Sequence, residues 1–233
     1  MYFYELHCHT AETSRCGHSS AKDMMETYKR KGFTGVVVTD HFVNGYSYAN
    51  IPGAPWDTKI DAFMKGYYAA KKAGDAIGLK VYFGFEYTNK GNNGEDYLTL
   101  GLNEEIVRKD LIDCDQWNIA DYIDKVHELG GTIIRAHPYR EAGYIAEAGI
   151  ERPGLPIDAV EVFNGGNTEE IFNTKAQHMA LREHKPFVAG SDTHHVDTTA
   201  TDFVGFIEDP ADYPALCAAI RDGKAFVVHK PKA

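Results

Sequence analysis

The 233-residue sequence is poor in cysteine, and its few cysteines form neither a disulfide pattern nor a zinc-binding pattern. They are Cys8, Cys16, Cys114 and Cys217, with no C-x-x-C pair among them. Because closely spaced cysteine pairs mark structural zinc sites and disulfide frameworks, neither class is indicated, and we expect a reduced, cytoplasmic protein. Cys16 lies in an expected loop and could be a metal ligand or an inert buried thiol.

Long apolar runs and an excess of basic residues are also missing. The apolar runs, such as residues 36–38, are far shorter than the roughly 20 residues that span a bilayer, so no membrane partner is expected. Residues 1–5 hold no basic segment before an apolar stretch, which predicts no secretory signal. Lys and Arg total 24 against 34 Asp and Glu, a net charge of −10. Because nucleic-acid backbones bind basic surfaces, a long nucleic-acid partner is not expected.

What is present is an alternation of short apolar runs with helix-like stretches, and no linker that would divide residues 1–233 into two domains. The predicted strands are residues 2–7, 35–40, 80–86, 97–102, 132–137, 159–163, 186–191, 203–207 and 225–228. The predicted helices are residues 21–32, 57–77, 118–129, 168–184 and 212–221. This alternation predicts parallel strands buried on both faces in an α/β protein. A closed barrel and an open doubly wound sheet both satisfy it.

A long irregular connection, residues 42–56, mixes turn-forming residues with Tyr46, Tyr48 and Trp56. Long irregular connections often close over a binding site, but a loop of this kind could also simply cover the core. Both interpretations stay open.

The sequence contains 11 histidines, and most lie beside acidic residues or other histidines at the ends of predicted strands. The polar residues at or just after these ends are His7, His9, Asp40, His41, Glu86, Asn103, His137, Glu161, Asn164, Asp192 and His194. Parallel strands all end at one face, so we expect these side chains to converge. Imidazole and carboxylate groups bind divalent metals, and the convergence therefore predicts a metal site.

The spacing of the histidines supports this interpretation. His7 and His9 are two residues apart, so an extended strand places both on one face, and Asp192 and His194 share this spacing. His195 follows them and could face either the site or solvent.

Two carboxylates near predicted strand ends have different expected roles. Asp40 and His41 are adjacent and alternate faces, so we expect one to reach an ion and the other to orient a ligand. A buried Glu86 would need a positive partner, which a bridging metal would supply.

Five motifs together resemble the PHP (polymerase and histidinol phosphatase) family. They are His7-x-His9-Thr10, Thr39-Asp40-His41, Gly84-x-Glu86, Ala136-His137-Pro138 and Gly190-Ser191-Asp192-x-His194. The resemblance implies a distorted (β/α)7 TIM-like barrel with the metal site at the C-terminal ends of the strands. It also implies phosphoester hydrolysis with two or three Zn, Mn or Fe ions.

The same resemblance implies a ligand set. The implied metal ligands are His7, His9, His18, His41, Glu86, His137, Asp192 and His194. Glu86 would bridge two ions, and His18 would join His41 and His194 at a third.

Two positions near these motifs differ from the family pattern. Glu12 lies in an apparent insertion and could approach the site. Asn103 stands after the fourth predicted strand, where many relatives carry a metal-binding His. Because an amide binds Zn less well than imidazole, we expect a loosely held second ion or a two-ion site.

The expected reaction is attack on phosphorus by a water shared between two ions. The residues expected to be catalytic are Asp192, His194 and Arg140. Those expected to bind substrate are Arg15, Arg135, Arg140 and Asn164, because guanidinium groups match phosphate oxygens. Arg135, which lies within a strand, could instead pair with a structural carboxylate.

The predicted function is hydrolysis of a small phosphorylated metabolite or nucleotide. The alternatives are a histidinol-phosphate phosphatase specifically, a metal-dependent amidohydrolase, and a non-catalytic metal-stabilised module. Arginines near the site, and Glu86 where many amidohydrolases carry a carbamylated Lys, favour phosphate chemistry. The oligomeric state stays open.

Overall fold

Strands and helices alternate along the chain in the computed structural model, which describes residues 1–89, 94–143, 145, 149–150 and 152–230. Its strands are β1 (Tyr2–Cys8), β2 (Gly35–Val38), β3 (Lys80–Asn89), β4 (Glu95–Leu100), β5 (Thr132–Arg135), β6 (Ala159–Asn164), β7 (Phe187–Gly190), β8 (Asp202–Phe206) and β9 (Phe226–His229). Its α-helices are α1 (Ala21–Arg30), α2 (Trp56–Ile77), α3 (Glu104–Asp110), α4 (Ile119–Glu128), α5 (Glu170–Arg182) and α6 (Tyr213–Arg221). Of these elements, α3 is the one that the sequence patterns did not predict.

Local signals explain where several helices begin and end. The Ser20 side chain accepts a hydrogen bond from the Asp23 backbone at the start of α1, and Asn118 does the same for Asp121 at the start of α4. Gly78 ends α2 in the left-handed conformation, with φ of 67°. These caps act over three or four residues, so the sequence alone predicts them.

The strands form one sheet that nearly closes into a barrel, in the order β7-β6-β5-β4-β3-β2-β1-β8-β9. After β7, the Thr193 backbone N–H donates to the His7 carbonyl at 3.2 Å, and the Thr193 carbonyl accepts from the His9 N–H at 3.0 Å. These bonds join the chain after β7 to the end of β1, so that β1 to β7 form a nearly closed ring. The distorted TIM-like barrel is therefore confirmed.

The expectation of an all-parallel sheet is wrong at three strands. β4 runs antiparallel to both β3 and β5, and β8 and β9 are also antiparallel to their neighbours. Residues 90–94 separate β3 from β4, whereas a parallel crossover needs about a dozen residues or more. The start of β4, rather than its end, therefore lies at the edge where the parallel strands end.

Apolar side chains from the strands fill the space beneath that edge. They include Leu6, Val37, Leu98, Ile134 and Val188, all buried in one cluster. Close packing of this kind holds the strand ends, and the side chains that they carry, in fixed positions. Among the described residues, none of the helices combines the length and apolar character that a membrane crossing demands.

Candidate metal centre

Histidine and acidic side chains converge where the parallel strands end. Among the residues that the structure describes, four overlapping groups bring their ligand atoms within 4.8 Å of one another. The groups are His9–His41–His194, His7–His137–Asp192, His7–His9–Glu86 and Glu86–Asp96–His137. Residues from position 7 to position 194 thus meet at one end of the barrel.

Several atoms at the centre of these groups approach other ligand atoms but make no hydrogen bond of acceptable geometry. They are Nε2 of His7, Nε2 of His9, Nδ1 of His41 and Oε2 of Glu86, and all four are buried. A buried polar atom without a partner costs about 1–3 kcal/mol, so proteins rarely leave several together. Imidazole nitrogens and carboxylate oxygens are the donor set of divalent transition metals. The residues present therefore fit divalent ions.

Glu86 occupies the middle of the cluster. Its Oε2 lies 2.7 Å from His41 Nδ1, and its Oε1 lies 3.1 Å from His137 Nε2 and 3.4 Å from His7 Nε2. Burial opposes ionisation, but the imidazoles of His41 and His7 hold the pKa of the Glu86 carboxyl well below its usual range. An ionised carboxylate in contact with three histidines can bridge two ions.

Asp192 connects the cluster to an arginine. Its Oδ1 lies 3.2 Å from His9 Nε2 and 3.4 Å from His7 Nε2, and its Oδ2 accepts from Arg140 at 2.6 Å. Although burial raises the pKa of Asp192, His7 and Arg140 hold it well below the usual range. Asp192 and His137 also adopt positive φ values of 50° and 23°. Strained backbone at two potential ligands is typical of functional sites.

A buried carboxylate behind the cluster orients His7. Glu161 Oε1 lies 2.9 Å from His7 Nδ1, and Glu161 Oε2 accepts from the His137 backbone N–H at 2.9 Å. With the proton of His7 held on Nδ1, Nε2 is left as a lone-pair donor facing the cluster. The strand-end position of Glu161 in the sequence was the signal for this role.

Asp40 is not a member of the ligand groups but is linked to His9 through Ser14. It accepts from the Thr10 backbone N–H at 2.7 Å and from the Ser14 hydroxyl at 2.6 Å. Ser14 Oγ in turn lies 3.3 Å from His9 Nδ1. Of the adjacent pair Asp40 and His41, the structure thus places His41 in a ligand group and Asp40 behind His9.

His18 lies outside the described ligand groups, contrary to the implied ligand set. Its side chain is exposed, and its backbone N–H donates to the His194 carbonyl at 2.8 Å. Cys16, two residues before His18, is partly exposed and lines a pocket together with His194 and His41. Burial acts to raise the pKa of the Cys16 thiol, but these two imidazoles lower it to about 7.

Asn103 also lies away from the cluster, because β4 is antiparallel. It is exposed at the far end of β4, where its side chain accepts from the Ile106 N–H at 3.0 Å and caps α3. Asp96, near the start of β4, takes the expected place beside Glu86 and His137. Burial and the nearby Glu86 raise the pKa of the Asp96 carboxyl to about 6. The group that contains Glu86 and His137 therefore has the carboxylate of Asp96 where the sequence patterns suggested the amide of Asn103.

Two other residues near the motifs cap helices instead of facing the cluster. Glu12 Oε2 accepts from the Ala21 backbone N–H at 2.9 Å at the start of α1. His195 is exposed, and its Nδ1 accepts from the Asp197 N–H at the start of the short 3-10 helix Val196–Thr198. Neither Glu12 nor His195 belongs to the ligand groups found among the described residues.

Two of the three candidate phosphate-binding arginines bond to groups outside the ligand groups. Arg15 is exposed, donates from Nε to the Ser47 carbonyl at 3.1 Å, and places its guanidinium 5.0 Å from the centre of the Tyr48 ring. Arg135 is buried and pairs with Glu95 at 2.9 Å. Arg135 therefore pairs with a carboxylate inside the protein, which is the second of the two roles that the sequence left open for it.

A pocket of about 250 Å³ opens onto the cluster. Its wall includes potential ligands together with Cys16, Thr88 and Arg140, and residues 44–46 of the long connection also line it. The same connection buries Phe42, whose ring lies 4.4 Å from that of Phe85. The connection therefore both covers core and shapes the pocket.

Arg140 is held at the pocket wall by amide side chains. It donates to Asn164 Oδ1 at 2.5 Å and to Asn167 Oδ1 at 3.1 Å. Asn164 also donates to Glu161 at 2.7 Å. Asn164 is buried, is not among the residues that line the pocket, and joins Arg140 to Glu161.

Solved structures with this architecture come from several bacteria. A protein from Bacteroides vulgatus with two domains, one described as a PHP-like metal-dependent phosphoesterase, has a TM-score of 0.71 and 14% identity; the match covers 98% of this chain and 65% of that one. A protein from Bifidobacterium adolescentis, provisionally described as a metal-dependent phosphoesterase, has a TM-score of 0.55 and 16% identity over 82% and 87% of the two chains. An amidohydrolase from Chromobacterium violaceum, solved with sulfate, has a TM-score of 0.56 and 13% identity over 82% and 87%. At these identities the likeness shows the fold alone.

The sequence itself carries the family relationship. No curated protein matches the chain. The family model described as PHP domain matches residues 5–144, which include both histidines of the first motif, Glu86, Asp96 and His137. The chain therefore belongs to the PHP domain family.

Proposed function

We propose that the protein is a metal-dependent phosphoesterase acting on a small phosphorylated metabolite or nucleotide. The observation that carries the proposal is the meeting of the ligand groups and Arg140 at one pocket. A phosphoryl group needs positive charge on several oxygens at once, and this arrangement supplies it from two directions. The guanidinium of Arg140 favours a phosphoryl group over a neutral amide.

The ligand groups indicate which residues would hold the ions. His7 and His9, each within 3.4 Å of Asp192 Oδ1, would hold one ion with it. Asp96 and His137 would hold a second, and Glu86, which forms groups with both sets, would contribute to each. His41 and His194, which form a group with His9, would hold any third ion. Divalent ions bound there would lower the pKa of water and offset the charge of the phosphoryl oxygens.

The protein's own residues would bind and orient the substrate. Arg140 is fixed by Asn164 and Asn167, so its guanidinium needs little rearrangement to meet a phosphate oxygen. His194 lines the pocket with its Nδ1 bonded to the Asp192 carbonyl at 3.0 Å, which keeps Nε2 available on the pocket side. Asp192 and His194 are therefore the groups that we propose as catalytic, together with Arg140.

The dimensions of the pocket support a small substrate. A volume of about 250 Å³, with residues 44–46 forming one wall, suits a phosphorylated metabolite or a nucleotide better than a nucleic-acid strand. The net charge of −10 supports the same choice, since a polynucleotide would be repelled over most of the surface.

The test is an assay of chelator-stripped protein reloaded with Mn, Zn or Fe(II). The substrates are p-nitrophenyl phosphate, bis-p-nitrophenyl phosphate, histidinol phosphate and a p-nitroanilide. We expect turnover of at least one phosphoester and none of the anilide, with loss of activity on chelation and in His7→Ala and Asp192→Asn. Turnover of the anilide alone would indicate an amidohydrolase. Tight ion binding without any turnover would indicate a non-catalytic module.

A pair of arginine variants tests the substrate class more directly. Arg140→Met should raise KM for the phosphoester and weaken inhibition by inorganic phosphate by about 10-fold or more, because a charge-assisted contact is lost. Arg15→Met is the matched control, since Arg15 is exposed and held against Tyr48, and both constants should stay within about 2-fold of the wild type. Equal effects of the two substitutions would contradict the assignment of Arg140.

A further inference from the structure

Thr88 and Asp96 are directly opposite each other in the antiparallel pair of β3 and β4. Directly opposite side chains lie on one face of a sheet, and this face also carries Glu86, two residues before Thr88. The Thr88 hydroxyl donates to Asp96 Oδ1 at 2.6 Å, and Asp96 Oδ2 lies 3.9 Å from His137 Nε2. One carboxylate oxygen of Asp96 is therefore held by the neighbouring strand, and the other is directed toward the ligand group.

The direction of this hydrogen bond is set by Asn44, which lies on the long connection. The Tyr46 backbone N–H can only donate, and it donates to Asn44 Oδ1 at 2.9 Å. The amide of Asn44 therefore presents Nδ2 to Thr88, to which it donates at 2.7 Å. Because Nδ2 cannot accept the hydroxyl proton of Thr88, that proton is directed to Asp96. The hydrogen bonds thus run in one direction, from the connection to the carboxylate.

The backbone on both sides of Asn44 is held in place. Val43 is buried and has a φ of 48°, which is a rare conformation for a β-branched residue. Such strain persists where the surrounding structure fixes it, and it is typical of functional sites. On the other side, the Tyr46 carbonyl accepts from the Arg15 N–H at 2.7 Å. The Asn44 side chain is itself buried, so it is a fixed donor to Thr88.

We propose that Thr88 is a positioning residue for the ion that Asp96 and His137 would hold, and that Asn44 sets the direction of its hydrogen bond. The inference rests on the metal binding in the proposed function, but not on its substrate. Groups that hydrogen-bond to a metal ligand fix the orientation of that ligand. With Asp96 already oriented by Thr88, the binding of the ion does not have to order the carboxylate, and the affinity is higher for that reason.

The experiment measures Mn²⁺ binding to the chelator-stripped 233-residue protein in competition with a chromophoric chelator. Thr88→Val removes the hydroxyl and keeps the branched shape, whereas Thr88→Ser keeps the hydroxyl. We expect Thr88→Val to weaken the binding of one ion by about 10-fold, and Thr88→Ser to stay within about 2-fold of the wild type.

Thr99→Val is the matched control for the loss of a threonine hydroxyl. Thr99 is buried on β4, and its hydroxyl lies 2.6 Å from the Tyr122 hydroxyl, outside the ligand groups found among the described residues. Because Thr99 is more deeply buried than Thr88, Thr99→Val should lower the urea midpoint of the ion-free protein at least as much as Thr88→Val. Its ion affinities should nevertheless stay within about 2-fold of the wild type.

Two further variants test whether Thr88 acts through Asp96 and is directed by Asn44. In an Asp96→Ala background there is no carboxylate to orient, so adding Thr88→Val should weaken ion binding by less than about 2-fold more. Asn44→Leu leaves β3 unaltered and lets the Thr88 hydroxyl rotate, so it should weaken the same ion by a smaller factor than Thr88→Val.

Equal affinities in the wild type and Thr88→Val, equal losses in Thr88→Val and Thr99→Val, or multiplied losses in the double variant would overturn the role of Thr88. An unchanged affinity in Asn44→Leu would overturn the role of Asn44. Ion binding by the wild type without turnover of any phosphoester would overturn the proposed function and leave the role of Thr88 intact. Failure of the wild type to bind any ion would overturn both.

Discussion

Two neighbouring carboxylates on β4 lie in opposite surroundings. Glu95 accepts from Arg135 at 2.9 Å and from Arg152 at 2.7 Å, so its negative charge is paired within the protein. Asp96 faces the other way, toward Glu86 and His137, where acidic groups and unsatisfied nitrogen atoms gather. Both carboxylates are almost completely buried.

The Arg135–Glu95–Arg152 cluster has the charge pairing of a structural network, whereas the histidine cluster has the unpaired ligand atoms of an ion-binding site. Side chains alternate between the faces of a strand, so adjacent residues can belong to unrelated networks. In a network whose buried charges are all paired, removing one partner leaves another charge uncompensated and destabilises the fold. A network that leaves ligand atoms without partners needs an ion to complete it. Substitutions in the two clusters should therefore have opposite consequences.

The largest expected effect is the loss of activity in Asp192→Asn. Removing one carboxylate ligand should lower kcat/KM for a phosphoester by more than about 100-fold, because even residues that only orient ligands contribute about 10–100-fold. The bound metal, measured by mass spectrometry, should fall by at least one ion per chain. The circular dichroism spectrum should stay that of the wild type. An inactive variant that retains every ion would contradict the role of Asp192 as a ligand.

Arg135→Met should lower the free energy of unfolding and leave the metal content unchanged. Removing one partner of a buried ion pair costs about 3–5 kcal/mol, and we expect about 3 kcal/mol here because Arg152 still contacts Glu95. Urea unfolding measures the change, and the metal content of the folded variant should equal that of the wild type. Arg108→Met is the control, since Arg108 pairs with exposed Asp61 and should lose less than about 1 kcal/mol. A loss of bound ions in Arg135→Met would show that the Arg135–Glu95–Arg152 cluster and the histidine cluster are not independent.

Asp96→Asn tests whether the carboxylate that β4 contributes to the histidine cluster binds an ion. The amide keeps the shape of the carboxylate but removes its charge, so the affinity for one ion should fall by about 10–100-fold. Competition with a chromophoric chelator measures this affinity, and the free energy of unfolding of the ion-free protein should change little. An unchanged affinity for every ion would exclude Asp96 from the ligand set.

The smallest expected effect is at Asn103, the position at the other end of β4. Asn103→Ala removes the cap of α3 and should lower the free energy of unfolding by about 1 kcal/mol. Its ion stoichiometry and affinities, measured in the same competition assay, should match those of the wild type. Weaker ion binding in Asn103→Ala would support the expectation from the sequence pattern that Asn103 lies at the second ion.

Three of the differences between expectation and structure arise where distant parts of the chain meet. The position of Asp96 depends on the direction of β4, and a strand's apolar pattern is the same in either direction. The exposure of His18 depends on a loop whose backbone pairs with the chain after β7. The separate roles of Arg135 and Arg140 depend on Glu95 and Asp192, which lie far from them in sequence.

The sequence alone determined the alternation of elements, the helix caps at Ser20 and Asn118, and the histidines at the strand ends. These features depend on contacts between residues a few positions apart, and on the rule that parallel strands end at one face. Only the tertiary structure decided that β4 is reversed, that Asp96 rather than Asn103 lies beside Glu86 and His137, and that Cys16 lines the pocket with His41 and His194. Those outcomes depend on which strands pair and on which buried charges meet, and no local pattern encodes such long-range contacts.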